Sequence, residues 1–376
     1  MIGLWSRPCS TALLLGLCAA ALVACSSDKP KPTALESITP QIAGRAGWDA
    51  RIEATPFVLM PSVMDDAFIV AGGDGSVVAL AKDSGRELWR GSAGARLSAG
   101  VGSDGRYAAV VTRDNELVVL DKGNVKWRTR LGSLVATAPL VAGERVFVMG
   151  VDRAVQAYDV QDGRYLWDLR RAGEPLTLSQ PGVVSAFKDT LLVGQGQRLA
   201  GIDPLKGSVR WEVAIANPRG TNEVERVADL VGPVARAGNV VCARAFQSAV
   251  GCANAQTGTL LWTKNIGGAQ AIGADAELVA SADGSGRITA WRATTGDLAW
   301  NAEQLLHRDL SGLLVVGRTV IVGNFEGQVH FLDRTNGKTL LRLPTDGSQV
   351  IGTPVVLGNT VLVTTKKGGL FAFRPE

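Results

Sequence analysis

One unit is stamped along this chain: a short apolar hairpin, then a glycine, then a tryptophan four residues further on. "GGDGSVVALAKDSGRELW" (residues 72–89) returns as "GVDRAVQAYDVQDGRYLW" (150–167) and as "GQGQRLAGIDPLKGSVRW" (194–211). "FQSAVGCANAQTGTLLW" ends at Trp262 and "ADGSGRITAWRATTGDLAW" at Trp300. "TRDNELVVLDKGNVKW" is a shortened copy ending at Trp127, and "NFEGQVHFLDRTNGKTLL" puts Leu341 at the tryptophan position. The glycines are Gly85, Gly123, Gly163, Gly207, Gly258, Gly296 and Gly337. A repeat of this kind decides the architecture before any other feature is weighed.

Each copy reads the same way. An apolar run such as "AFIVAG" is a strand, a Gly/Asp/Asn turn reverses it, and "SVVAL" returns. A second turn needs a positive φ, which glycine adopts at little cost, and a third strand carries the tryptophan. Runs such as "PLVAG" and "TPVVLGN" add a strand before the next hairpin. Four short antiparallel strands in about forty residues are the pattern of a propeller blade, with the tryptophan filling the space between blades. The hairpin occurs eight times, and the last copy, "NTVLVTTKKGGLFAF", stops before any tryptophan strand. Trp48 lies at the other end with no hairpin before it. The fold expected is therefore all-β: an eight-bladed β-propeller of four-stranded antiparallel blades, its last blade completed by an N-terminal strand near Trp48. A seven-bladed ring with one divergent unit is the alternative.

The N-terminus is of another kind. Arg7 precedes "TALLLGLCAAALVA", an apolar stretch short for a bilayer span. It ends in "LVAC", which resembles the lipobox of bacterial lipoproteins, where the cysteine is lipidated and becomes the first residue after cleavage. The organisation expected is a signal peptide over residues 1–24, a lipidated Cys25 and flexible tether over 25–46, and the propeller over 47–376. An ordinary signal peptide is the alternative. Ser26, where that class can carry Asp, implies delivery to the outer membrane. Cys9 and Cys18 leave with the signal, so Cys242 and Cys252 remain in a compartment that permits a disulfide. They flank a hairpin turn about symmetrically; a bond and two buried free thiols are both open, and either is structural.

Signs of catalysis are few. Net charge is +4 with both signs interspersed, unlike the basic stripe of a nucleic-acid binder. The acids lie mostly at repeat turns, where they have a structural use. "GVGSDG" (100–105) matches a dinucleotide fingerprint, but a strand follows it instead of a helix. His307 and His330 are too far apart for a zinc motif. No enzyme activity, cofactor or metal is expected.

The unit with Tyr-Asp or Ile-Asp before its Gly-x-x-x-Trp turn resembles the PQQ-like repeat of quinoprotein dehydrogenases, without the Gly-His and Trp-Asp pairs of WD40. Lipobox, tether and blades together resemble the BamB family, lipoproteins of the outer-membrane β-barrel assembly machinery. Three stretches outside the repeat sharpen this: "TNEVERVADL" (221–230), "GEPLTLSQPG" (173–182, similar to a family "P-S-L-S-L-R") and "QLLHRDL" (304–310, similar to "L-L-H-R"). The resemblance implies a non-enzymatic scaffold held by lipid at the periplasmic face of the outer membrane. Its partners would be the periplasmic domains of BamA, other assembly lipoproteins indirectly, and unfolded outer-membrane proteins. It implies partner-binding roles for Leu176, Leu178 and Asp229. Ser179 stands where the family has Arg, Val231 replaces a second Asp, and Glu225 or Arg226 is placed to compensate. The alternative for Leu176 and Leu178 is inward-facing strand residues, and for Glu223, Glu225 and Asp229 a solvated loop. Two other functions compete: a periplasmic chaperone that adds extended precursors to blade edges, and a PQQ-dependent dehydrogenase.

Overall fold

Apolar runs bounded by Gly and Asp turns fold here as short strands, and the strands gather in fours. The computed structural model of the chain describes residues 30–55, 58, 60–170, 177–217, 222 and 227–374. The chain divides into two compact units, Met1–Pro32 and Thr33–Glu376. Of the first, residues 30–32 alone are described, without regular secondary structure, so the signal peptide and Cys25 lie outside the described residues. The second forms eight four-stranded antiparallel sheets and, among the described residues, no helix.

Seven blades are continuous in sequence: residues 62–92, 102–130, 140–169, 184–214, 230–265, 273–302 and 314–344. The eighth takes three strands from residues 350–374 and its outermost strand, Arg45–Arg51, from the other end of the chain. The fold is thus an eight-bladed β-propeller, closed as the unmatched Trp48 and the truncated last repeat predict. The seven-bladed alternative does not hold.

Burial follows position within the blade. Tyr107–Val111, a second strand, is buried at every residue because blades lie against both of its faces. Glu87–Ser92, an outer strand, alternates exposed and half-buried residues. Apolar side chains gather in eight clusters, each joining two consecutive blades. The cluster that closes the ring brings Phe68, Val70 and Leu80 of blade one against Leu362, Leu370 and Trp48 of blade eight.

The repeated tryptophan makes one contact many times. Trp48, Trp127, Trp167, Trp211, Trp262 and Trp300 lie on Gly85, Gly163, Gly207, Gly258, Gly296 and Gly337 of the following blade. A methyl group at any of these glycines would fall 2.5–2.7 Å from the indole. Five of the six rings donate their N–H to a carbonyl of the same turn: Lys82, Val160, Pro204, Ala293 and Arg334, at 2.7–3.0 Å. Trp211 has no acceptor among the described residues. Blade two departs because its turn is a two-residue hairpin, Lys122–Gly123, both at positive φ, between paired Asp121 and Asn124. There a methyl at Gly123 would meet the Arg90 carbonyl instead of an indole.

The boundary expected between tether and propeller is corrected. The outer strand of blade eight begins at Arg45, not after residue 46. Gly44, four residues before Trp48, is an eighth instance of the glycine spacing, and it lies against Leu341 as the other glycines lie against indoles. Residues 33–42 are also held. The Gln41 N–H donates to Leu340 O at 2.9 Å, and Leu35 and Ile42 pack on the apolar clusters of blades six to eight. The outer strand of blade seven, Thr339–Pro344, has backbone groups to satisfy at its open edge, and this segment covers part of it.

Two buried basic side chains of the inner strands bond within the ring, Arg244 as a cation and His330 as a neutral imidazole. Arg244 in blade five donates to Ile266 O at 2.8 Å and Ala282 O at 2.8 Å, and also to Ser281 Oγ, tying blade five to blade six. Burial lowers its pKa to about 10. His330 in blade seven is fully buried; its Nδ1 accepts from Arg342 Nε at 3.4 Å. Burial first, then the charges of Arg342 and Arg308, push its pKa down to about 3.

Two outcomes are expected. Gly207 and Gly143 both have positive φ, but a methyl meets the Trp167 ring at 2.6 Å in the first and nothing within 4 Å in the second. Gly143→Ala should cost about 1–2 kcal/mol from backbone strain alone. Gly207→Ala should cost roughly 1–3 kcal/mol more through overpacking, read by equilibrium denaturation. Equal costs would remove the glycine seat from the account. The second outcome concerns acid. Between pH 6.5 and about 3 the unfolded chain protonates His330 and the folded chain does not. Its contribution is therefore complete above pH 6.5 and is lost on acidification, by up to about 1.4 kcal/mol per pH unit. His330→Gln keeps an acceptor for Arg342 and should flatten the stability profile in the part of that window above the carboxylate range.

Candidate functional site

Antiparallel blades sort their turns by face. The turn between second and third strands and the connector to the next blade share one face; the other two turns share the opposite one. The connectors expected to matter, residues 173–182 and 220–230, follow blades three and four in sequence, and their described residues 177–182 and 227–230 lie on the first, the connector face. Leu176, Glu223, Glu225 and Arg226 lie outside the described residues. Leu178 is half-buried, Ser179 exposed and Val231 buried.

Asp229 joins these connectors from within. One carboxylate oxygen accepts from Arg153 Nη2 at 2.7 Å, the other from the backbone N–H of Leu178 at 2.8 Å. Its own carbonyl accepts from the Phe246 N–H at 2.9 Å. With its side chain 14% exposed, Asp229 is less a charge offered outward than a clasp between the two connectors. Further bonds tie the same stretches down. The Gly182 N–H donates to Thr137 Oγ1 at 2.9 Å, and the Gly232 N–H to Pro181 O at 2.8 Å. The Leu230 N–H donates to Gly196 O at 2.8 Å. Connectors from three successive blades are thereby fixed side by side, with Leu178, Ser179 and Gln180 at their surface.

Arg153 was not among the residues singled out, although the repeat marks it. The turn between second and third strands has a residue at positive φ in all eight blades: Gly75, Asn115, Arg153, Gly196, Gln247, Gly286, Gly327 and Gly368. Five are glycine and one asparagine, the residues that bear this conformation cheaply. Arg153 and Gln247 do not, and a side chain kept at a strained position points to a use. For Arg153 the use is the Asp229 carboxylate. For Gln247 it is the next connector, where the Gly268 N–H donates to its Oε1 at 3.1 Å.

The hollow among Thr137, Arg153, Leu178 and Asp229 has a volume of about 30 Å³, room for a water or two. Larger hollows of about 350 Å³, lined by Glu53, Asp74 and Arg96 among others, and about 580 Å³, lined by Glu36, Gln304 and Arg342 among others, mix polar and apolar surface. Among the described residues no group of three His, Cys, Asp or Glu side chains is arranged to hold a metal. Cys242 and Cys252, cross-strand partners on neighbouring strands of blade five, are joined by a disulfide and buried. They serve the core between blades five and six.

Fold and surface together define a class: an eight-bladed β-propeller of PQQ-like repeats set apart by its connectors. A family model described as outer membrane protein assembly factor BamB matches residues 73–302 and 304–376. The outer membrane protein assembly factor BamB of Bordetella pertussis is 33% identical over 365 residues, covering 96% of this chain and 95% of that protein. That of Burkholderia pseudomallei is 34% identical over 369 residues, covering 96% and 97%. The chain belongs to the BamB family of outer membrane protein assembly factors. The crystal structure of BamB from Moraxella catarrhalis superposes with a TM-score of 0.79 at 20% identity, over 88% of this chain and 99% of that one. A quinohemoprotein alcohol dehydrogenase from Comamonas testosteroni matches with a TM-score of 0.69 at 15% identity, over 90% and 78%, a likeness of fold alone.

Replacing Asp229 by Ala removes the acceptor of the Leu178 N–H and of Arg153 Nη2. The ring should remain folded by circular dichroism, while hydrogen exchange at residues 177–182 rises about tenfold or more, the loss of roughly 1.4 kcal/mol of local protection. Unchanged exchange there would show that the connectors hold without the clasp.

Proposed function

We propose that this chain is a non-catalytic scaffold of the outer-membrane β-barrel assembly complex. It is held by lipid on Cys25 at the periplasmic face of the outer membrane. It docks on the periplasmic domains of BamA through the connectors that follow blades three and four. The observation that carries the reading is the Asp229 clasp, which fixes Leu178 beside the 220–230 connector. An apolar residue on a backbone pinned before the partner arrives loses little conformational freedom on binding, so more of its contact energy appears as affinity. Apolar anchors with charged neighbours are the usual composition of a binding centre. The names of the relatives support membership of the assembly machinery, and the small, water-sized hollow at the connectors supports a surface role over turnover of a small molecule.

Val231 is buried and Asp229 is engaged within the chain, so neither supplies an outward charge in this arrangement. Apolar contact through Leu176 and Leu178 then carries more of the affinity than ion pairing does.

The test is capture of BamA's periplasmic domains by the chain lacking residues 1–24, beside Leu176→Glu/Leu178→Glu and Asp229→Ala. The double variant should lose at least about tenfold in affinity, 1.4 kcal/mol, and Asp229→Ala should lose less, by loosening the surface. A folded double variant that binds as well as the unaltered chain would move the interface elsewhere.

A further inference from the structure

The third non-repeat stretch, "QLLHRDL" over residues 304–310, takes no part in the surface just described. It lies in the connector from blade six to blade seven and grips the start of the compact unit. The Thr33 N–H donates to Leu306 O at 3.0 Å, and Arg308 Nε donates back to Thr33 O at 2.9 Å. Arg308 is 5% exposed; its Nη1 donates to Glu326 at 2.7 Å. Leu305 and Leu310, both buried, belong to the cluster against which Leu35 packs. Further along, Arg342 Nη1 donates to Glu36 O at 3.1 Å. His307 and Asp309 on either side of Arg308 have φ of +58° and +42°, a backbone that L-residues adopt at a cost, here the shape that presents Arg308 inward.

The path of this strap has a direction. At Thr33 it is bonded to a connector, on the connector face. It then descends beside the outer strand of blade seven to reach Arg45, which pairs with Arg374 at the opposite end of blade eight. Without the strap, the ordered chain would begin at Arg45 on the far face.

We propose that the 304–310 connector is a receptor for the N-terminal strap, and that it makes the connector face the side of the ring turned to the lipid bilayer. The inference rests on the reading of Cys25 as the lipidated residue. From Cys25 to Thr33 is eight residues, at most roughly 29 Å fully extended, so the anchor leaves the ring at the connector face on a short leash. Measured to Arg45 the leash is twenty residues, up to roughly 70 Å, enough to let either face approach the membrane. The strap thereby places the Leu178–Asp229 surface, three blades round on the same face, toward the membrane.

The experiment uses the full lipidated chain in phospholipid vesicles carrying a headgroup quencher. A single fluorophore is attached at Asp114→Cys on the connector face or at Lys206→Cys on the opposite one. The connector-face label should be quenched more than the other. In Thr33→Pro/Leu35→Ser, which removes a strap donor and an apolar anchor without touching a blade, that asymmetry should be lost, and likewise in Arg308→Ala. Hydrogen exchange at Gln41 reports strap release, and circular dichroism reports that the ring is intact. Equal quenching of both labels in the unaltered chain overturns the proposal, as does an asymmetry that persists after exchange shows the strap released. A chain that fails to float with vesicles overturns the reading of Cys25, and this orientation with it, while protection of Gln41 still measures the strap by itself.

Discussion

The ring depends on an indole laid flat on a glycine of the next blade. The glycine is needed twice over, for positive φ in the turn and because any side chain would occupy the place of the ring. In most copies the indole N–H then closes on a carbonyl of the same turn. The contact is directional: a blade of this pattern offers a ring forward and a seat backward. A row of such blades always leaves one ring and one seat unused, and only closure satisfies both. Trp48 on Gly85 is that closure, reinforced by Arg374, whose guanidinium reaches Lys82 O and Asp83 at 3.0 and 3.1 Å. No separate central core is required, because apolar burial is divided among the gaps between blades.

This explains which parts of the structure were legible in advance. Strand count, blade count and closure follow from local signals, the two-residue alternation and the Gly-to-Trp spacing. Gly44 was equally legible, since it obeys the same spacing to Trp48, but it sits outside any hairpin. Arg153 was legible only by aligning the eight turns and noticing a bulky residue among glycines. The strap was not legible. Its partners are some three hundred residues away, and it is held largely through backbone groups of Thr33, Glu36 and Gln41, which leave no side-chain pattern. The inward role of Asp229 was hidden likewise: sequence marks a carboxylate in a polar loop, while only the fold brings Arg153 and the Leu178 N–H to it.

The two faces of the ring are not equally free to differ. Six of the turns between third and fourth strands hold a glycine seat for an indole, and five of them also hold the carbonyl that the preceding indole needs. A change there disturbs two blades at once. Turns between second and third strands, and the connectors, carry no such duty and can lengthen or admit strained residues at local cost. Apart from the short turn of blade two and Leu341 in blade seven, the departures described above fall there: the connectors around Leu178 and Asp229, the positive-φ Arg153 and Gln247, and the His307–Asp309 bend that holds Thr33. The face not consumed in holding the ring together is the one left to distinguish this protein from any other propeller. The proposed partner surface and the proposed anchor exit therefore fall on the same side of the disc, on connectors that share no residue.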